Sequence, residues 1–130
     1  MKTTRVPWHR DEILVVAAIG IKYGWPKTPP RSEMEKLSSL LRRCAVHPEI
    51  ELGEEDTKFR NVNGVERKYY DLLTARPGYP GKATNGGKTT HSIVEYMIEH
   101  QMEVFEAGIK IQQMLESDTY RSFVIPGLRV

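Results

Sequence analysis

The stretch Lys58-Phe59-Arg60-Asn61-Val62-Asn63-Gly64-Val65-Glu66-Arg67-Lys68 gathers the residue types most suited to recognition chemistry. An apolar anchor, Phe59, stands beside a guanidinium, Arg60, and two amides, Asn61 and Asn63, just ahead of a helical pattern. Arginine donates two parallel hydrogen bonds to a guanine edge or a phosphate. Asparagine pairs in the same two-pronged way with adenine, or caps a helix. A helix start adds backbone N–H groups that favour an anion. Arg60 and Asn61 have an equally ordinary structural use, holding their own loop by bonding backbone carbonyls. A second cluster follows at 77–88, where four glycines and two prolines surround Tyr79, Lys82 and Lys88. Loops this long inside one domain are either functional or slack connectors.

Catalytic patterns are weak by comparison. No two of His9, His47, His91 and His100 have the i, i+4 spacing of paired zinc ligands on a helix. His91 and Glu95 have it but lack a third ligand, so a capping or surface role is expected. Gly86-Gly87-Lys88-Thr89 echoes the end of a phosphate-binding loop without its upstream glycine or preceding strand. Glu54-Glu55-Asp56 reads as a solvated acidic loop. The single cysteine, Cys44, excludes an internal disulfide and reads as a small buried hydrophobe. No motif implies a cofactor or a metal, and the chain is not expected to be an enzyme by itself.

The charge pattern singles out the same region. The net charge is only +2. Residues 1–31 hold 6 Lys/Arg against 2 Asp/Glu, and residues 58–91 hold 7 against 2. Residues 32–57 hold 3 against 7, and residues 92–130 hold 3 against 6. If the two basic segments meet in space, one face suits a polyanion and the other does not.

These residues need a frame. A length of 130 residues suits one domain, with a core spanning about 6–117 and a tail or linker start at 118–130. Mean hydropathy is −0.48, and no apolar run approaches a membrane span. No apolar stretch follows the charges of 1–7, so no leader is expected and a cytoplasmic setting is the default. Apolar spacing is helical throughout, which predicts an all-α domain of four main helices with the long Gly/Pro-rich loop before the last. The first helix is expected at about 9–23. The second starts at a Ser32/Glu35 capping box and runs to Pro48. The third is capped by Asn63 and buries Val65, Tyr69, Leu72 and Leu73, leaving Arg67, Tyr70, Asp71 and Thr74 on its other face. The fourth starts at a Ser92/Glu95 capping box and runs to about Leu115. Its stripe is Val94, Met97, Ile98, Gln101, Phe105, Gly108, Ile111 and Leu115, with Gly108 marking a close crossing. Glu95, Glu99, Glu103 and Glu106 form an acidic ridge that should face away from any nucleic acid.

Trp8-x-Arg10-Asp11-Glu12, Tyr23, Ser38-x-x-Leu41-Arg42 and Phe59-Arg60-Asn61-x-Asn63-Gly64-Val65-x-x-Lys68 together resemble a known module. It is the N-terminal helical domain of McrA-like HNH endonucleases, the modification-dependent (type IV) restriction enzymes. The resemblance spans roughly residues 6–115. His9 departs from the family's usual Thr or Ser, and Tyr69-Tyr70-Asp71 from its usual apolar residue followed by Met-Asn or Leu-Asn. The resemblance implies a module that binds double-stranded DNA and senses modified cytosine, with the nuclease elsewhere. The chain is then an excised domain of a longer endonuclease or a stand-alone reader.

On that reading Arg10, Lys58, Arg67, Lys68, Lys82 and Lys88 contact phosphates. Arg60, Asn61, Asn63 and Tyr79 line a pocket for the 5-methyl group in the major groove, without base flipping. Three other readings stay open: a sequence-nonspecific DNA binder, a protein-interaction or homodimerising helical module, and a hydrolase with an unrecognised site.

Overall fold

The computed structural model of the chain describes residues 6–129. The leader reading therefore rests partly on residues outside the described ones. The architecture is all-α, with helices α1 (Arg10–Tyr23), α2 (Arg31–Leu41), α3 (Val62–Ala75) and α4 (Gly87–Glu116), and no strand among the described residues.

α1 is the central element. Every residue from Asp11 to Gly20 is buried, including the two acids. A helix apolar all round is a core helix, and α1 packs chiefly along α4 and more lightly on α3. The crossing with α4 is as close as the sequence suggested. A Cβ on Gly108 would stand 2.5 Å from the Leu14 carbonyl oxygen and 2.5 Å from Ala18 Cβ. Gly108→Ala must therefore push two helices apart. It is expected to destabilise the domain by about 1–3 kcal/mol, read as a lowered urea midpoint.

The helix starts differ from the sequence expectations in instructive ways. α1 opens on a capping box: His9 Nδ1 accepts from Asp11 N–H at 2.9 Å, and Glu12 Oε1 accepts from His9 N–H at 2.9 Å. α2 starts one residue before Ser32, with Pro30 at the N-cap position and no side-chain cap. It stops at Leu41, well before Pro48, and the chain turns through Cys44 at a φ of 61°. α3 is capped by Asn61, not Asn63: its Oδ1 accepts from Gly64 N–H at 2.8 Å. α4 begins at Gly87, five residues before Ser92.

α4 also bends. His100 has non-helical φ/ψ of −130° and 40°. The buried stripe is Thr90, Ile93, Val94, Met97, Val104, Ala107, Gly108, Ile111 and Leu115. Three members of the expected stripe leave it. Ile98 is 60 % exposed, Gln101 is exposed and Phe105 is only half-buried. The chain beyond α4 folds back on α1. Asp11 Oδ2 accepts from the Tyr120 hydroxyl at 2.6 Å and from Phe123 N–H at 2.9 Å, and Ile125 is buried. No helix among the described residues is long and apolar enough to cross a membrane.

Candidate nucleic-acid interface

An open cleft of about 910 Å³ lies where the N-terminal arm, the Lys58–Arg60 loop, α3 and the start of α4 converge. It is lined by Trp8, Lys58, Arg60, Arg67, Lys68 and Lys88, together with Asp56, Asp71 and the Asn85-Gly86-Gly87 turn. The 58–91 segment thus curls into one basic concavity, but none of the described basic residues of 1–31 joins its lining, so the two basic segments do not meet there. Five of the ten expected site residues meet there: Lys58, Arg60, Arg67, Lys68 and Lys88.

Their environments separate them into two groups. Arg60 lies in the floor. Its side chain is 5 % exposed, and Nε and Nη2 clasp Glu12 Oε2 and Oε1 at 2.8 and 3.0 Å. Nη1 and Nη2 also donate to the carbonyls of Val6 (3.2 Å) and Pro7 (3.0 Å), and the guanidinium lies 4.4 Å from the Trp8 ring centroid. Arg60 sits at a φ of 47°, a left-handed conformation that a side-chain-bearing residue adopts only under constraint. α2 supplies the constraint: Ser38 Oγ donates to the Arg60 carbonyl at 2.7 Å, and Arg42 Nη1 to that of Phe59 at 2.6 Å. This corrects the expected role of Arg60. With its donors committed, it anchors the N-terminal arm and Trp8 and leaves no two-pronged face for a base. Asn61 is likewise taken by the α3 cap and by the Thr57 carbonyl at 3.1 Å.

Glu12 is the acceptor at the centre of this floor, fully buried, and His47 Nε2 adds a contact at 2.9 Å. Burial pushes its carboxyl up, but Arg60, the His9 amide and His47 together hold it below the ordinary glutamate value. A carboxyl depressed in the folded state adds stability above its unfolded value and loses it as pH falls through the folded one. Stability should therefore be level at neutral pH and decline on entering the carboxylate range. Urea titrations at stepwise lower pH check this, and Glu12→Gln should flatten that acid limb.

Lys68 lies in the cleft wall, 7 % exposed. Its ammonium donates to the Gly86 carbonyl and Thr90 Oγ1, each at 3.2 Å, and pairs with Asp71 at 3.4 Å. Burial pulls it below the usual lysine value, opposed by Asp71. Asp71 also accepts from Thr84 Oγ1 at 2.6 Å, and Thr74 Oγ1 accepts from Thr84 N–H at 3.1 Å. The 77–86 loop is thereby tied to α3 and covers part of the face expected to be open: Asp71 and Thr74 are buried, as is Lys68 at its edge, while Arg67 and Tyr70 stay exposed. Gly86 permits this closeness, since a Cβ there would stand 2.9 Å from Asp71 Cβ.

The outward-facing cations are Lys58, Arg67 and Lys88. Arg67 is 71 % exposed and reaches only loosely to Asp71, at 3.9 Å. Lys58 and Lys88 are exposed and enter no ion pair among the described residues. Lys88 stands in the first turn of α4, where the helix dipole favours an anion.

The other expected residues lie outside the lining. Arg10 is engaged with Asp11 at 3.0 Å, with Ser122 Oγ at 3.1 Å and with the Phe123 carbonyl, fastening the C-terminal segment. Asn63 is exposed on the first turn of α3, Tyr79 is half-buried against the core, and Lys82 is exposed in the loop. The other twelve residues of the lining were not expected as site residues, Trp8 and Asn85 among them. Trp8 could have been found from its place next to the basic arm; Asn85 carries no signal beyond its loop.

The acidic ridge is where the charge pattern put it, with Glu95, Glu99, Glu103 and Glu106 all exposed along α4 and none in the cleft lining. No group of three or more His, Cys, Asp or Glu among the described residues could hold a metal ion. Compared with known proteins, the chain matches no family model, no curated protein and no solved structure.

Proposed function

We propose that this domain binds double-stranded DNA and reads modified cytosine, 5-methylcytosine foremost, as a specificity module that does not itself cleave. A nuclease then acts from elsewhere, in the same or another chain. The observation that supports this most is the basic cleft. Lys58, Arg67 and Lys88 project from its rim, backed by the dipole of α4, while the glutamate ridge lies outside it. Such an arrangement favours a polyanion, and its flexible exposed cations suit phosphates more than any buried small-molecule pocket would.

In this reading the two groups of residues have different tasks. The rim cations make the sequence-independent phosphate contacts. The Glu12–Arg60 floor holds Trp8 and the arm in place. Because Arg60 and Asn61 are occupied, contacts to base edges fall to Asn63 and Tyr79 among the residues first considered, and to Trp8 and Asn85 of the lining.

A nonspecific DNA-binding reading is favoured by one observation, the commitment of the Arg60 guanidinium to Glu12. Fluorescence anisotropy with a short duplex decides whether DNA is a ligand at all. Binding should weaken steeply as salt rises from about 50 to 200 mM, on the order of tenfold or more for three or more phosphate contacts. Binding that ignores salt, or none at low salt, would exclude both DNA readings.

A further inference from the structure

α4 carries a second, outward apolar stripe that the core does not use. Ile98 and Met102 are each 60 % exposed, which places both among the few large hydrophobics exposed in the structure. Half-buried Phe105 and Ile109 continue the line. Met102, Phe105 and Ile109 stand at i, i+3 and i+7 beyond the His100 kink, so they share one side of the helix, and Ile98 extends the row across the kink. Each end of the row adjoins a shallow depression. One, of about 190 Å³, is bounded by Ile98, Gln101 and Pro77; the other, of about 180 Å³, by Ile109, Gln112 and Ala18.

The borders of the stripe are unequal in charge. Glu95, Glu99 and Glu106 are exposed and enter no ion pair among the described residues. Glu103 is bonded by the Tyr96 hydroxyl and by His100 at 3.0 Å. The cations nearby are engaged: Arg76 lies over the Trp25 ring at 4.8 Å and Lys110 over Phe123 at 5.8 Å, while Lys22 and Lys36 pair with Glu33 and Glu116 at 3.0 and 3.1 Å. An apolar row bordered by unpaired carboxylates complements a helix with an apolar face and a lysine- or arginine-rich edge. A second copy of α4 packed antiparallel would set glutamates against glutamates, which disfavours self-pairing.

We infer that this face of α4 docks a cationic amphipathic helix of a partner protein, on a surface separate from the basic cleft. The two faces would let the domain hold DNA and a protein partner together.

The test uses the whole chain and two synthetic helical peptides of about 20 residues, one leucine–lysine and one leucine–glutamate. Anisotropy titrations should show the lysine peptide binding at least tenfold more tightly than the glutamate peptide. Ile98→Gln/Met102→Gln, both at exposed positions, should reduce that binding at least tenfold while leaving thermal melting and DNA binding unchanged. Glu99→Gln/Glu106→Gln should weaken it about threefold or more and reduce its salt dependence. The inference is overturned by equal binding of the two peptides or by lysine-peptide binding that survives the Ile98/Met102 change. It is also overturned by sedimentation showing a dimer that this change dissolves, which would assign the face to a second copy.

Discussion

Arg60→Ala is expected to destabilise the domain by about 3–5 kcal/mol, a large share of the roughly 5–15 kcal/mol that holds a domain of this size. The change leaves the Glu12 carboxylate, fully buried under the cleft, without its guanidinium. It also frees the carbonyls of Val6 and Pro7, and it removes the cation under Trp8. Arg60→Lys should recover little, because one ammonium cannot span two carboxylate oxygens and two carbonyls in a fixed fork. Arg60→Met combined with Glu12→Gln should recover a good part of the loss, since it removes both buried charges together. Urea midpoints for the three variants check this. A base-reading Arg60 would behave differently: its alanine variant would melt like the wild type and lose only DNA affinity.

The second large effect concerns the rim. Lys58→Ala/Arg67→Ala/Lys88→Ala should leave melting nearly unchanged, because all three side chains are exposed and Arg67 makes only a 3.9 Å contact with Asp71. DNA affinity near 50 mM salt should fall on the order of a thousandfold, about tenfold for each phosphate contact removed. The slope of log K against log salt should flatten by roughly 2.7, or about 0.9 per contact. Anisotropy titrations at several salt concentrations give both numbers. Arg10→Ala is the contrasting case. Its guanidinium fastens Ser122 and Phe123 of the C-terminal segment, so stability should fall and the salt slope should stay.

Much of this arrangement could be read from local patterns, because local patterns have local causes. Helical periodicity gave four helices, and the lack of a Cβ marked Gly108 as a crossing point. Segment charges separated a basic concavity from an acidic ridge. Helix starts were less legible, since capping residues are common and compete. Asn63 is the expected cap of α3, yet Asn61 is the one whose backbone leaves the helix at extended φ/ψ. Ser32 and Ser92 misled in the same way. Five residues without a large apolar side chain, 87–91, precede the first obvious apolar position of α4, and Thr90 is buried there with its hydroxyl oxygen accepting from Lys68.

The site itself was legible in composition but not in pairing. Lys58, Arg67 and Lys88 are among the six cations the sequence offers for phosphates, but nothing in it separates them from Arg10, Lys68 and Lys82. Nothing near Arg60 announces that its partner is Glu12, 48 positions earlier. Glu12 is a first-turn acid, a placement the helix dipole favours in any helix. Only the packing of α1 in the centre of the fold turns that ordinary preference into a buried ion pair. The outer stripe of α4 was hidden because Ile98 and Phe105 lie at the edge of the core stripe in helical spacing, and only the packing leaves Ile98 exposed and Phe105 half-buried.

A single titration addresses modification reading most directly. Four otherwise identical duplexes, unmodified, 5-methylcytosine, 5-hydroxymethylcytosine and phosphorothioate, are titrated with the wild-type chain at one fixed salt concentration. Burying one methyl contributes about 0.8 kcal/mol, so the 5-methylcytosine duplex should bind roughly fourfold more tightly than the unmodified one for each methyl read. Equal affinity for all four duplexes would contradict modification reading and leave a nonspecific DNA-binding cleft.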